Sequence, residues 1–372
     1  MTPPKGVWSP SANAERQRPE DDEAVAKALA AFAPTRVFRK DLLTYCTLRN
    51  LLPHPQLLPL HADEEERQGA ANGEAPATGH VYDVSDVEEL TVKHWQLDVG
   101  NSQALCFVLP LSAKVHSLCL FNVGLDLEQL ELLCSTVPKT HVTSFQVEWN
   151  QLETADDGSD VFAQLLGEGS KLVVLSLRAN GISSRGAEAL ARALRSNSTL
   201  EALNLFQNRV DDAGARAFAH ALPHNTTLKT LSLANNQLSG IGAKLLVDGL
   251  TQYEAPPELL AEFEAAESAI QTQLDHAKKA KKKLDRASVI AQLGLPVLET
   301  VGGVVCAPGN TALEELVLSG NALLESSDLE VLSEALERFR SKLASHLRCI
   351  KLQRLPKTGG DQQQRLSDFI KL

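Results

Sequence analysis

Aromatic residues are scarce in this 372-residue chain, at 5%, there is a single Met, and the six cysteines include no CxxC pair. Cys46, Cys106, Cys119, Cys134, Cys306 and Cys349 are scattered, which argues against a thiolate metal site and predicts reduced thiols in a reducing compartment. No apolar run approaches the roughly 20 residues that a spanning helix needs, and the opening MTPPKGVWSPSANAERQRPEDD lacks an apolar stretch of the signal-peptide kind. A basic excess is also missing. The formal net charge is -11 and the clustered lysines have no interleaved aromatics, so neither a membrane nor a nucleic acid is an expected partner. Nucleotide-binding and hydrolase motifs are absent, with no GxxxxGKS/T loop, HExxH, GxSxG or GxGxxG. The histidines, among them His94, His116, His141, His220 and His224, are dispersed, and the helically spaced pair His220 and His224 has no carboxylate or cysteine beside it. Together these absences predict an intracellular protein with no catalytic residues, metal or cofactor, one that works through its surfaces.

What is present is a repeat. LVVLSLRANGI, LEALNLFQNRV and LKTLSLANNQL place Asn180, Asn208 and Asn236 at intervals of 28 residues. An Asn at the ninth place of LxxLxLxxNxL turns inward after a short strand and bonds the backbone of neighbouring turns, satisfying groups that a curved stack would bury unpaired. Gly186, Gly214 and Gly242 recur at the same interval and mark helix starts; Ala187, Leu190, Ala191 and Leu194, then Phe218 and Leu222, then Leu246 and Leu250, follow with helical spacing. Asn197 and Asn225 are placed to close those helices through left-handed turns, and their NST and NTT sequons are expected to be unused. Weaker copies begin at Val87, Val115, Val142, Leu313 and Leu347, and two of them retain the Asn, at Asn150 and Asn321. Strand plus helix in each unit predicts an α/β leucine-rich repeat solenoid of the ribonuclease-inhibitor type, with about eight strand units and a parallel sheet on its concave face.

Composition divides the rest. Residues 1–36 are predicted disordered, with prolines and charge and little to bury. Residues 37–86 form a capping segment with Phe38, Leu42, Leu43, Leu48, Leu51 and Leu52, followed by an acidic loop; repeats occupy 87–250 and resume over 313–355, and a tail covers 356–372. Between them, 251–312 is an insertion in which Pro256 and Pro257 start a helix expected to run to about 289. That helix is acidic at its start and basic at its end. Lys278, Lys279, Lys281, Lys282, Lys283 and Arg286 either complement the helix dipole or form a knob for an acidic partner such as a tubulin tail.

Strand positions five, seven and eight face away from the core. Lys93, Phe121, Glu148, Arg178 and Phe206 therefore line the concave side at position seven, with His94, Asn122, Trp149 and Gln207 at position eight. With strands about 4.8 Å apart, Phe121, Trp149, Arg178 and Phe206 span roughly 15 Å of residue types enriched in binding hot spots. Such a patch is expected to be covered, by a partner or by the chain's own ends. Cys119, on the same strand face, is the thiol expected to be reachable.

The order VEELTVKHWQL, then LVVLSLRANGISSRGAEAL, LEALNLFQNRVDDAGARAF and LKTLSLANNQLSGIGAKLL, a lysine-bearing insertion, and VVCAPGNTALEELVLSGNAL resembles the leucine-rich repeat-containing protein 71 family of organisms with motile cilia. The resemblance covers about residues 37–340. It implies a non-enzymatic component of the ciliary or flagellar axoneme, within the cytoskeleton, held in a large complex by other axonemal proteins and bringing no catalytic residues. A cytosolic scaffold or inhibitor, and a small-GTPase activator using an exposed Arg such as Arg178, share the repeat type and stay open.

Overall fold

A computed structural model of the chain describes residues 8–16, 22–60, 82–150, 158–279, 284–293, 295–343 and 345–354. Eight short parallel strands form one sheet: β1 (Glu89–Lys93), β2 (Ser117–Phe121), β3 (Ser144–Glu148), β4 (Val174–Ser176), β5 (Ala202–Asn204), β6 (Thr230–Ser232), then, beyond the insertion, β10 (Glu315–Val317) and β11 (Cys349–Lys351). They pair in chain order, Leu90 with Leu118, Leu118 with Phe145, Leu175 with Leu203, and Leu231 with Leu316. Every second residue points into the core, so Leu90, Leu118, Phe145, Leu175, Leu203, Leu231 and Leu316 are fully buried or nearly so. The alternation that makes a strand thereby also stacks the repeats.

The ninth-place asparagines do what their position predicts. Asn208 donates from Nδ2 to Leu177 O at 2.9 Å, and its Oδ1 accepts from the backbone of Asn180 and Ile182 at 3.1 and 3.0 Å. Asn150, Asn180, Asn236 and Asn321 reach the preceding repeat in the same way. One residue earlier the backbone is left-handed in every unit: His94, Asn122, Trp149, Ala179, Gln207, Asn235, Gly320 and Arg354 all have φ between 51° and 75°.

Asn197 and Asn225 depart from the expected left-handed closure. Neither has positive φ, and Asn225 is extended at φ -103°. They form a second ladder on the other rim of the stack. Asn225 Nδ2 donates to Leu194 O and Asn197 O at 2.7 and 2.9 Å, while Oδ1 accepts from Thr227 N and Leu228 N. Asn310 repeats these bonds to Leu222 O and Asn225 O. With the amide nitrogens of Asn197 and Asn225 buried and donating, neither sequon can carry a glycan in the folded chain.

Helices cover the other face: α4 (Val99–Val108), α5 (Leu127–Thr136), α6 (Ser184–Leu194), α7 (Asp212–Ala221), α8 (Gly240–Thr251) and α11 (Ser326–Arg338), with a 3-10 helix over Gly158–Leu166. Ser183, Asp211 and Ser239 cap α6, α7 and α8 through their side chains. Gly186, Gly214 and Gly242 thus lie inside the first turn and do not open the helices. Their use is close approach: a Cβ on Gly214 would come within 3.0 Å of Ala187 Cβ, and one on Gly242 within 3.2 Å of Ala215 Cβ.

The N-terminal region is more structured than its composition predicts. Helices α1 (Pro10–Arg16), α2 (Asp22–Ala30) and α3 (Phe38–Leu48) precede the sheet, so most of the described part of residues 1–36 is helical. Asn13 bonds both backbone groups of Leu52, and Trp8 Nε1 donates to Asp98 at 3.1 Å, which ties the arm down. Asn50, at φ 53°, ends α3 as Leu51 N bonds back to Cys46 O at 2.8 Å. Phe38, Leu42, Leu51, Leu57 and Leu58 then cover the first repeat, and the Gln56 amide pairs with both backbone groups of Lys93, standing in for a missing neighbour strand.

The insertion leaves the stack through β7 (Gln252–Glu254) and returns through β9 (Val304–Pro308), which pairs antiparallel with β7 and with β8 (Glu299–Val301). Gly309 N bonds Thr251 O and Asn310 N bonds Gly249 O, so the ends of the excursion meet. The helix expected over 257–289 is not continuous. It ends as α9 (Pro257–Lys279), and α10 (Arg286–Gln292) folds back on it: Arg286 bonds Glu267 at 2.9 and 2.5 Å although 19 residues separate them. In one straight helix these residues would be about 28 Å apart. Ile270, Val289 and Ile290 form the small core of this hairpin, separate from the main core.

Candidate partner-binding surface

The concave residues come together as two linked groups. His94 and Phe121 meet edge to face at 5.0 Å between centroids, and Phe121 tilts against Trp149 at 6.3 Å. Arg178 lies over the Phe206 ring, 4.8 Å from its centroid, and its Nη1 is 3.8 Å from Glu148 Oε2. Ser176 Oγ donates to the other Glu148 oxygen at 2.6 Å. Strands β2 to β5 set this spacing, because each side chain is fixed to the same position of consecutive repeats.

Exposure separates the roles. Trp149 is 37% exposed and Phe121, Arg178 and Phe206 are half-buried, so these four are presented outward; Lys93 is exposed at the end of the row, its backbone held by Gln56. Glu148 is 7% exposed and differs from the expected contact residue. Its carboxylate accepts from Ser176 and lies within ion-pair range of the Arg178 guanidinium. Trp149 projects as it does because its own backbone is left-handed, at φ 58°. Such a row is held before any partner arrives, which lowers the entropy lost on binding.

Cys119 is not the reachable thiol. It is buried, and burial raises its pKa, with the Glu148 charge adding and Lys93 opposing. Burial likewise raises Cys46, Cys106 and Cys134, Cys106 to about 12, whereas Cys306 and Cys349 are the half-exposed ones.

The basic end of the insertion is likewise rearranged. Lys278 and Lys279 are exposed at the end of α9, Lys278 3.9 Å from Asp275, while Arg286 is committed to Glu267 and so is not a free cation for an acidic partner. Lys281, Lys282 and Lys283 lie outside the described residues. Among the described residues no group of three His, Cys, Asp or Glu side chains is placed to hold a metal ion, and no helix is long and apolar enough to cross a membrane.

Sequence reasoning missed the residues beneath the row. Ser176 and Gln56 touch the lining residues from below or behind, and only the pairing register, Gln146 against Ser176, shows that Ser176 adjoins the Glu148 repeat. It also missed the stack of Trp8 on Trp95, 5.8 Å apart and 17° from parallel, with His54 edge-on to Trp8 at 4.5 Å. Trp8 thus lies against one side of Trp95 at the first repeat, leaving Trp95 46% exposed.

The family model of the leucine-rich repeat matches residues 170–191, 196–219 and 224–247. No curated protein matches the chain. Among solved structures, the chain is similar to "Leiomodin-1 Actin-Binding Site 2 (ABS2)", with 24% identity over 28% of this chain and 58% of that one and a TM-score of 0.24. The match thus spans a little over half of that protein's chain, and a likeness of this extent carries no functional argument.

Proposed function

We propose that this leucine-rich repeat protein is a non-enzymatic docking component that grips a partner protein with the concave row Phe121, Trp149, Arg178 and Phe206, and that its working assembly is the axoneme of a motile cilium. The observation that carries the docking reading is the row itself. Large aromatics and an oriented Arg stand partly exposed on consecutive strands of a protein that has few aromatics to spare. Arg178 sits over Phe206 and faces Glu148, a held anchor rather than a free arginine finger, which favours binding over GTPase activation. The axonemal part rests on the resemblance in repeat order, charged insertion and APGN return described above.

Detergent extraction of isolated cilia, followed by crosslinking mass spectrometry of the pellet, tests both parts. Retention with crosslinks to the partner near the concave strands is expected; quantitative release into the soluble fraction removes the axonemal reading. With the partner in hand, Phe206→Ala should weaken binding by about 1–3 kcal/mol while the melting curve stays in place. An unchanged affinity would exclude the concave row as the grip.

A further inference from the structure

A second surface lies on the helical side. α6 and α7 run side by side, and between them opens a groove of about 290 Å³ walled by Glu188 and Arg192 on α6, Arg195 just past its end, and Arg216 and His220 on α7, over a small-residue floor that includes Ala217. Both helices offer these residues from solvent-facing positions. Arg192, Arg195 and Arg216 are exposed, and among the described residues none of them forms an ion pair. Their neighbours differ: Arg185 is paired with Asp160 at 3.0 Å, and on α8 Lys244 is paired with Asp248 at 2.6 Å. His224, just past α7, reports the local field. Its pKa is lowered first by partial burial and then by the Arg195 and His220 charges, with Glu262 opposing.

Three unmatched guanidinium groups around one groove repel one another, and an arriving anion relieves that repulsion. Guanidinium forks take carboxylates in two-bond pairs, and an alanine floor lets an extended backbone lie close. A nucleic acid fits less well, since no Phe, Tyr or Trp lines the groove as a platform for base stacking and Glu188 would face its phosphates. We infer that the α6–α7 groove docks an acidic, extended peptide segment of a partner protein, its carboxylates taken by Arg192, Arg195 and Arg216. This surface is independent of the concave row, so the solenoid holds one partner on each face.

Fluorescence anisotropy of the intact chain with labelled polyglutamate tests this directly. Saturable binding that weakens with added salt is expected. Arg192→Glu/Arg216→Glu should raise Kd by about tenfold or more, and the milder Arg192→Gln/Arg216→Gln pair should raise it less, with both folds checked by circular dichroism. Phe206→Ala should leave this Kd unchanged. The inference is overturned if polyglutamate does not bind, if polyglutamine binds as well, if the glutamine pair leaves affinity untouched, or if a single-stranded oligonucleotide displaces the peptide.

Discussion

At the residue scale, the feature that recurs most faithfully is the left-handed backbone at the eighth place of each repeat, and only Gly320 fills it with glycine. A side chain there costs roughly 1–2 kcal/mol, which the surrounding ladder bonds hold in place. Ala179, at φ 53° and buried, is the simplest site at which to relieve it. Ala179→Gly should raise stability by about 1 kcal/mol, seen as a higher urea midpoint at an unchanged slope. A lowered midpoint would show that the position is not strained. None of this was legible beforehand, because His, Asn, Trp, Ala, Gln, Gly and Arg at one position share no composition signal. The ninth-place Asn was legible, since its two-ended hydrogen bonding is a demand that almost no other side chain meets.

At the element scale, the insertion behaves as a module. Asn225 and Asn310, rungs of one ladder, are 85 residues apart where Asn197 and Asn225 are 28 apart, an excess of 57. Residues 252–308 account for that excess, and Thr251 and Gly309 already touch. A chain joining Thr251 directly to Gly309 should therefore fold, with β6 still paired to β10 and a melting temperature within a few degrees of the parent. Loss of the cooperative transition would mean that the insertion holds the stack together. The repeats on either side were visible from their spacing. The break in the helix was not, because the lysine run after Lys278 contains no Gly or Pro and suits a helix well; the reversal is decided by Glu267 and Arg286 and by the apolar contact of Ile270 with Val289 and Ile290, which no local window contains.

At the scale of the whole molecule, one core runs from Phe38 to Leu352, so the N-terminal cap melts with the stack. His54, fully buried in that cap beside Trp8 and Trp95, has its pKa lowered to about 4 by burial, with Asp98 opposing. The unfolded chain takes up this proton near pH 6.5 and the folded chain only near pH 4, so the stabilising contribution is complete above 6.5 and is lost as pH falls through that window. The loss is on the order of 3 kcal/mol. His54 Nδ1 accepts from Gln56 N at 3.2 Å, a bond that an Asn can mimic, so His54→Asn should flatten the dependence of unfolding free energy on pH between 6.5 and 4. Parallel slopes for parent and variant would assign the acid sensitivity elsewhere. The cap's apolar residues were recognisable as a cover; that Trp8 and Asn13, in a proline-rich and charged stretch, would join it depended on partners far along the chain, Asp98 and Leu52.

The asparagine ladder also gives the stack a direction. Each ladder side chain serves the backbone of the repeat before it: Asn208 serves Leu177, Asn180 and Ile182, and Asn321 serves Leu233, Asn236 and Leu238. Of the ladder's own bonds, trimming repeats from the N-terminal side frees only side-chain amides, which can rotate toward water. Trimming from the C-terminal side strands main-chain groups, which cannot move without undoing the turn that holds them. The two ends of this solenoid are therefore unequal in what they must be supplied with, and the final repeat, more than the first, sets where the stack is able to stop.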